Sequence, residues 1–274
     1  MKTNIKTIAF GFLGMFLFAS LAQADVVTQY SFENNLEDTA PSGVSFDNLS
    51  AAAMVGPLST VYVPGVMGIG GQAVQIGSAP GDATVLSVGD SNDLDLAPSF
   101  TVEAFVLRTI EHGAEWDRFA TKWFDGSNNW HWAFRGPPNK SQDLFMNGAQ
   151  QINQGAVSAD VGLDQWYHVA MTGDPANGLR LWQDGVVVGT SAYVAPVNGT
   201  DSFRIGNFNA VNQAPLQFHG YVDEFMIHDV SQDAAYMIGR TALIDIPEPS
   251  SVLLAAMAAM GFGLTGLRRR RRAG

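Results

Sequence analysis

Carboxylate side chains are the first candidates for chemistry, since the chain has 26 aspartate and glutamate residues. Hydrolysis of a glycosidic bond needs two of them about 5–10 Å apart across the scissile bond. Asp223 and Glu224 are adjacent, so on a strand they would point to opposite faces. Glu111, Glu115 and Asp117 fall in a segment that we predict to be a loop, where a group of acids more often serves solvation. The carboxylates therefore predict no catalytic pair.

Other catalytic signatures are missing from the sequence as well. It contains no Gly-x-Ser-x-Gly nucleophile elbow, no His-Glu-x-x-His motif and no phosphate-binding loop. The chain has no cysteine, which excludes thiol catalysis, thiolate metal sites and disulfide bonds. The five histidines stand on separate segments without the spacing of zinc ligands. We therefore expect a protein that is not an enzyme.

Aromatic side chains offer a second kind of chemistry, stacking against the faces of sugar rings. Trp123 precedes an Asp-Gly pair and is expected in a surface loop. If the segment from Trp130 to Arg135 is a strand, Trp130 and the two aromatic residues at every second position share one face. That face is expected to be core, because large aromatic residues are mostly buried, and His131 and Arg135 would lie on the other face. Trp123, His131 and Arg135 are the candidate ligand-binding residues.

The N-terminus carries an export address. Two lysines precede an apolar stretch from Ile8 to Leu21, and Ala22-Gln23-Ala24 is a small-x-small cleavage pattern. This order is typical of a secretory signal peptide over residues 1–24. The mature chain is therefore predicted to start at Asp25 and to leave the cytoplasm.

The C-terminus carries a second address, residues 247–274. Pro247-Glu248-Pro249 interrupts regular structure, because proline fixes φ and lacks an amide donor. The 17 residues from Ser251 to Leu267 carry no charge and suffice for a short membrane-spanning helix, and Arg268 to Arg272 would hold the tail on the cytoplasmic side. Together they resemble the PEP-CTERM sorting signal, which exosortase-type processing enzymes recognise in certain Gram-negative bacteria. The resemblance implies a precursor held transiently in the inner membrane.

The 222 residues between the two addresses, 25–246, are much more acidic than the whole chain. Eight lysines and arginines stand there against 25 aspartates and glutamates, which gives a formal charge of −17 instead of −11. Such a surface repels nucleic acid and favours solubility or divalent cations. Nucleic acid is therefore excluded as a partner.

Short β-rich runs separated by Gly, Pro, Asn and Asp dominate this central region. The stretch from Trp166 to Ser191 predicts three antiparallel strands with a tight Asp-Gly hairpin turn. Phe100 to Arg108 predicts a central strand that is apolar on both faces, with Glu103 as the exception that needs a partner. Asp229 to Gly239 predicts one short helix capped by Ser231. We therefore expect an all-β sandwich.

Four segments of the region share the pattern of a known family: residues 100–106, 166–170, 179–189 and 218–228. They resemble strands of the laminin-G-like (LamG), concanavalin A-like jelly rolls, in the order of that family. The resemblance implies two packed antiparallel sheets over residues 25–246, with a concave face that binds glycans in some members. Hydrolases of this fold carry a Glu-x-Asp-x-x-Glu strand, which this sequence lacks.

The same resemblance implies a Ca²⁺ ion at the rim of the sandwich. The positions it assigns are Asp223, in the Asp-Glu pair, and Asp38, in the first polar loop. Calcium takes six to eight oxygen ligands, which an acidic domain can supply. The alternative is that Asp38 caps a turn and Asp223 hydrogen-bonds a neighbouring loop.

The leading hypothesis is an exported, non-catalytic module that binds carbohydrate or protein at the cell surface or in the extracellular polysaccharide matrix of a biofilm. Because fold alone does not fix function, two alternatives stay open. One is a structural matrix or envelope protein without a specific ligand. The other is a divergent glycoside hydrolase.

Overall fold

The structure, a computed structural model, describes residues 26–41, 48–53, 60–66, 68–69, 71–77, 84–111, 116–122, 129–136, 141–153, 161–207 and 217–244. Within these ranges the chain forms two antiparallel sheets that pack face to face. The expectation of an all-β sandwich is confirmed. Trp123, the signal peptide, the Pro247-Glu248-Pro249 motif and the predicted membrane span lie outside the described residues.

Sheet A contains eight of the described strands. Their bounds are β1 Val26–Tyr30, β3 Tyr62–Pro64, β4 Gln72–Ile76, β6 Phe100–Arg108, β11 Trp166–Asp174, β12 Gly178–Gln183, β13 Val186–Ser191 and β15 Gly220–His228. Their order across the sheet is β13-β12-β11-β6-β15-β4-β3. β1 pairs with the second half of β15, next to the point where β4 pairs with its first half.

Sheet B contains seven of the described strands. Their bounds are β2 Ser50–Ala53, β5 Thr84–Val88, β7 Trp116–Thr121, β8 Trp130–Arg135, β9 Gln142–Met146, β10 Ala149–Asn153 and β14 Phe203–Ile205. Their order is β10-β9-β8-β7-β14-β5-β2.

The core between the sheets follows the period-two alternation of strands. Along β6, Phe100, Val102, Ala104 and Val106 are buried in it, whereas Glu103 is buried on the opposite, outer face of sheet A. Along β8, the alternating aromatic residues Trp130, Trp132 and Phe134 also point into the core. The predicted core and outer faces of both segments are confirmed.

The three strands expected between Trp166 and Ser191 form β11, β12 and β13 of sheet A. Asp184 and Gly185 at the turn between β12 and β13 have φ angles of 49° and 77°. Such positive angles suit an Asp-Gly hairpin turn, because glycine has no Cβ and aspartate tolerates the left-handed region.

The prediction that Asp117 lies in a loop was wrong. Asp117 lies in β7, is fully buried, and forms an ion pair with the buried guanidinium of Arg108. A buried carboxylate is stable only when a partner compensates its charge. That partner is on a strand of the other sheet, where a reading of local sequence could not find it.

The single α-helix of the described residues, α1, spans Ala234–Thr241. Its N-cap is Asp233, whose carboxylate accepts a hydrogen bond from the backbone N–H of Tyr236, so the predicted cap at Ser231 was wrong. The ionised carboxylate also interacts favourably with the positive end of the helix dipole. No helix within the described ranges is long and apolar enough to cross a membrane.

Candidate functional site

The outer face of sheet B holds two of the three predicted ligand-binding residues. The register places Trp116 opposite Arg135, and His131 opposite Phe145, on neighbouring strands. Opposite residues of antiparallel strands share a face of the sheet, so these side chains meet. We name this group the sheet B platform; its members are Trp116, Arg118, His131, Arg135, Asp143 and Phe145.

Arg135 contacts two other members of the platform. Its Cζ lies 4.6 Å from the centre of the Trp116 ring, and its Nε lies 2.8 Å from Asp143 Oδ2. Trp116 Nε1 donates to the same carboxylate oxygen at 2.5 Å. Asp143 is fully buried and therefore neutralises and orients the guanidinium from below. The plane of Arg135 and the indole ring are held together as one unit.

His131 supports the aromatic part of the platform. Its ring stacks on Phe145 with the centroids 5.2 Å apart and an interplanar angle of 17°, and Phe145 meets the edge of Trp116 at 5.6 Å. His131 is only 6% exposed. Burial, followed by the positive charge of Arg118, lowers the pKa of His131 to about 3. The imidazole is therefore neutral at neutral pH.

The exposed part of the platform is aromatic and cationic. Trp116, Phe145 and Arg135 are half-buried, whereas His131 and Asp143 are buried behind them. Flat rings and a guanidinium plane can stack on the apolar face of a sugar ring and donate hydrogen bonds to its hydroxyl groups. Sequence reasoning missed Trp116, Asp143 and Phe145, because the strands β7 and β9 were not predicted.

The two predicted calcium ligands are engaged in separate backbone contacts. Asp38 Oδ1 accepts hydrogen bonds from the N–H groups of Gln29 and Ala40, each at 2.9 Å. Asp223 Oδ2 accepts from Val66 N–H at 2.9 Å. These are the turn cap and the loop hydrogen bond of the alternative interpretation. In the part of the chain that the structure describes, no group of three or more His, Cys, Asp or Glu side chains is placed to hold a metal ion.

Asp223 nevertheless lies where a negative charge is poorly compensated. It is fully buried, and its Oδ1 has no hydrogen-bond partner among the described residues. Burial and, more weakly, the negative charges of Glu224 and Glu33 raise its pKa to about 7. The position is therefore unfavourable for a carboxylate without a cation or a proton.

A third polar cluster lies on the outer face of sheet A, beneath α1. Its centre is Glu103, which is fully buried. Nε2 of His168 lies 2.7 Å from one carboxylate oxygen of Glu103, and Nε2 of His228 lies 2.8 Å from the other. From α1, the Tyr236 hydroxyl donates to Glu103 and Arg240 Nε lies 3.3 Å away. We name these five residues the Glu103 cluster.

Opposite charge and hydrogen bonds keep Glu103 ionised. Burial opposes ionisation, but the charge of Arg240 and the hydrogen bonds of His168 and His228 hold the pKa of Glu103 well below its usual range. Burial next to this carboxylate raises the pKa of the Tyr236 hydroxyl, which stays a donor. The predicted need of Glu103 for a partner is confirmed.

Comparison with protein families identifies two regions of the chain. Residues 80–235 match the model of the Concanavalin A-like lectin/glucanases superfamily, Laminin_G_3. Residues 245–272 match the PEP-CTERM protein-sorting motif. No curated protein matches the chain. The sorting motif indicates a secreted, membrane-anchored precursor that an exosortase-type enzyme processes.

Several solved structures share the fold. Domain 4 of AbnA, a GH43 extracellular arabinanase from Geobacillus stearothermophilus solved in complex with arabinotriose, has a TM-score of 0.60 at 17% identity; the match covers 79% of this chain and 98% of that domain.

Two toxin structures are also similar. The binding domain of Paraclostridial Mosquitocidal Protein 1 has a TM-score of 0.59 at 13% identity, with 79% of this chain and 52% of that one covered. A botulinum neurotoxin type C structure, described with two ganglioside molecules, has a TM-score of 0.58 at 11% identity, with 81% and 52% covered. This chain thus spans about half the length of the two toxin chains. At these identities the likeness shows the fold alone.

The family model covers more than half of the chain, and the two-sheet architecture agrees with it. The chain therefore belongs to the Concanavalin A-like lectin/glucanases superfamily.

Proposed function

We propose that this protein is an exported, non-catalytic carbohydrate-binding module whose ligand lies on the sheet B platform. The observation that carries the proposal is the fixed stack of Arg135 on Trp116, tied from below by buried Asp143. Such a pre-oriented aromatic and cationic plane pays little entropy to bind a sugar ring. Among the described residues the platform offers one carboxylate, Asp143, and this side chain is buried, so a pair of acids on that face is not available for hydrolysis.

Two findings support a binding role at the cell exterior. The sorting motif directs the precursor to an exosortase-type enzyme, and the family includes lectins. A similar solved domain holds arabinotriose, and another similar structure is described with gangliosides. The mature form would then act at the cell surface or in the extracellular polysaccharide matrix of a Gram-negative bacterium. Surface proteins are a second class of partner for the same face.

The platform can be tested with two variants and one control. Arabinotriose and a glycan array that includes the host exopolysaccharide serve as probes, with calorimetry for any sugar that binds. Trp116→Ala and Arg135→Ala are expected to abolish saturable binding, because each removes one half of the stack. Arg180→Ala is the matched control, since Arg180 is a partly exposed arginine of sheet A whose contact is with Asn177.

The outcomes separate the alternatives. Saturable binding that Trp116→Ala abolishes and Arg180→Ala preserves supports the module. Absence of binding to every sugar, with matrix association intact, favours a structural matrix or envelope protein. Release of reducing ends from β-glucans would favour the divergent glycoside hydrolase and contradict the proposal.

We propose Ca²⁺ as a second ligand, held by Asp223. A buried, unpartnered Oδ1 beside the charges of Glu224 and Glu33 provides hard oxygen donors of the kind that calcium takes. Asp38 fits this role less well, because its Oδ1 already accepts two backbone hydrogen bonds. When bound, the ion would neutralise the acids around Asp223 and stabilise the bulge within β15.

Calcium binding is measured by thermal melting with excess Ca²⁺ and with chelator. The wild-type chain is expected to melt higher with Ca²⁺, since a ligand that binds only the folded state stabilises it. Asp223→Ala should remove this difference, and Asp38→Ala should retain part of it. Equal melting temperatures of the wild type in Ca²⁺ and in chelator would contradict the calcium proposal.

A further inference from the structure

The helix that leads to the sorting motif is fixed to the sandwich. Tyr236 and Arg240 of α1 reach the carboxylate of Glu103 in the middle of sheet A. Met237, on the same helix, is fully buried against Ala170 and Trp182. Because both polar and apolar contacts hold it, α1 has a defined position on the domain.

The chain stays attached beyond the helix. Leu243 N–H donates to Arg240 C=O, and Ile244 N–H donates to Thr241 C=O, each at 3.0 Å. Gly68 lies so close to this segment that a Cβ atom there would fall 1.8 Å from the carbonyl oxygen of Leu243. The position of the chain relative to the domain is therefore fixed up to Ile244.

A short connection follows. Six residues, 245–250, separate Ile244 from the uncharged run that starts at Ser251. Fully extended, such a connection spans at most about 25 Å. The headgroup layer of a bilayer takes up about 5–8 Å of that distance. If Ser251 to Leu267 spans the membrane, the α1 end of the domain cannot be far from the lipid surface.

Exposed apolar side chains lie at this end. Ile238 of α1 is 60% exposed, and Val186, at the turn between β12 and β13, is 63% exposed. The two elements touch, since a Cβ atom on Gly185 would lie 3.0 Å from Ile238 Cγ1. Val187 adds a further side chain that is 38% exposed. We name Val186, Val187 and Ile238 the α1 patch.

We propose that the α1 patch is a lipid-contact surface that rests on the bilayer in the membrane-anchored precursor. The inference rests on the membrane anchoring stated above and is independent of the glycan site. The occupant is a zwitterionic lipid surface, because a domain of formal charge −17 is repelled by anionic lipid. Three apolar side chains bind lipid weakly on their own, but the short connection gives them a high effective concentration at the membrane.

The absence of cysteine in the chain allows a direct test with single labels. Val186→Cys and Ile238→Cys place an environment-sensitive fluorophore on the patch of the full chain. Val197→Cys is the matched control, since Val197 is an exposed valine at 52%.

The control lies at the other end of the sandwich. Val197 N–H donates to Asn147, which lies just beyond the end of β9. The opposite end of β9 is the one next to the α1 patch, because Gln142, at the start of the strand, donates to Gln183 beside the β12–β13 turn. All three positions are exposed, so each variant is expected to melt like the wild type.

Each labelled chain is reconstituted at one copy per nanodisc of phosphatidylcholine, and quenching by aqueous iodide is measured. We expect quenching at positions 186 and 238 to be several-fold weaker than at 197, with blue-shifted emission. Equal quenching at the three positions in discs that contain the chain overturns the inference and leaves the anchoring intact. Protection that appears only with two chains per disc also overturns it, because a second copy would then cover the patch. Failure of the chain to enter discs overturns the anchoring and the inference together.

Discussion

The outer faces of the two sheets compensate a buried carboxylate in different ways. On sheet A, the Glu103 cluster gathers an acid, two histidines, a tyrosine and an arginine beneath α1, and its centre is fully buried. On sheet B, a buried acid, Asp143, holds an arginine that stays partly exposed on a tryptophan ring. The first arrangement is closed by the protein's own helix, and the second leaves a flat surface to solvent.

This difference teaches which face stabilises the fold and which is free to bind a ligand. In the Glu103 cluster the partners of one carboxylate come from two neighbouring strands and a helix, so removal of the acid affects all of them. In the sheet B platform the half-buried members contribute little to the core. We therefore expect damage on sheet A to cost stability and damage on sheet B to cost binding.

The largest effect is expected from Glu103→Ala. It leaves Arg240, His168 and His228 facing a cavity without an acceptor, and breaking a buried charge cluster from one side costs about 3–5 kcal/mol. Urea unfolding measures the loss. Glu37→Ala, at an exposed position, serves as control and should stay within about 0.5 kcal/mol of the wild type. Similar stability of the two variants would contradict the role given to the cluster.

Tyr236→Phe is a milder perturbation of the Glu103 cluster. It removes one donor to an ionised acceptor, at a cost of about 1.5–3 kcal/mol. We expect α1 to open locally. The backbone amides of residues 237–241 should therefore exchange faster with deuterium in the variant than in the wild type, whereas exchange in β11 should stay the same. Unchanged exchange in the helix would show that Met237 packing alone holds it.

On sheet B, His131→Phe sharpens the comparison through pH. The pKa of His131 is lowered to about 3 in the folded protein, below the ordinary value of 6.5. Below pH 6.5 His131 binds a proton in the unfolded state but stays neutral in the folded state. The free energy of unfolding therefore falls by about 1.4 kcal/mol per pH unit towards pH 3. Phenylalanine keeps the stack on Phe145 and cannot titrate. As pH falls, the free energy of unfolding of the variant should therefore increase relative to that of the wild type. Parallel curves of unfolding free energy against pH from 7 to 4 would refute this.

The smallest effect on stability is expected from Arg135→Lys. Lysine keeps a positive charge beside buried Asp143 but lacks the guanidinium plane that stacks on the Trp116 ring. Unfolding should therefore change little, while sugar binding is weakened. A loss of stability as large as that of Glu103→Ala would remove the distinction between the two faces.

Local sequence patterns predicted a good part of the molecule. Alternation along β6 and β8 gave the buried faces correctly, and the Asp-Gly pair gave the β12–β13 hairpin turn. The strand β9, Gln-Asp-Leu-Phe-Met, escaped prediction because its polar residues at 142 and 143 mask the alternation. Asp117 was misread as solvated because its partner Arg108 belongs to the other sheet.

What the sequence alone determined is the C-terminal sorting motif and the fold class. The order of Pro-Glu-Pro, apolar and basic residues in the tail, and the period of two in the strands, are properties of neighbouring residues. What the tertiary structure decided is which charges meet. His228 is 125 positions from Glu103 and Asp143 is 27 from Trp116, yet each pair is in hydrogen-bond contact. Electrostatic and stacking energies depend on distances through space, and these exist once the strands have been placed side by side.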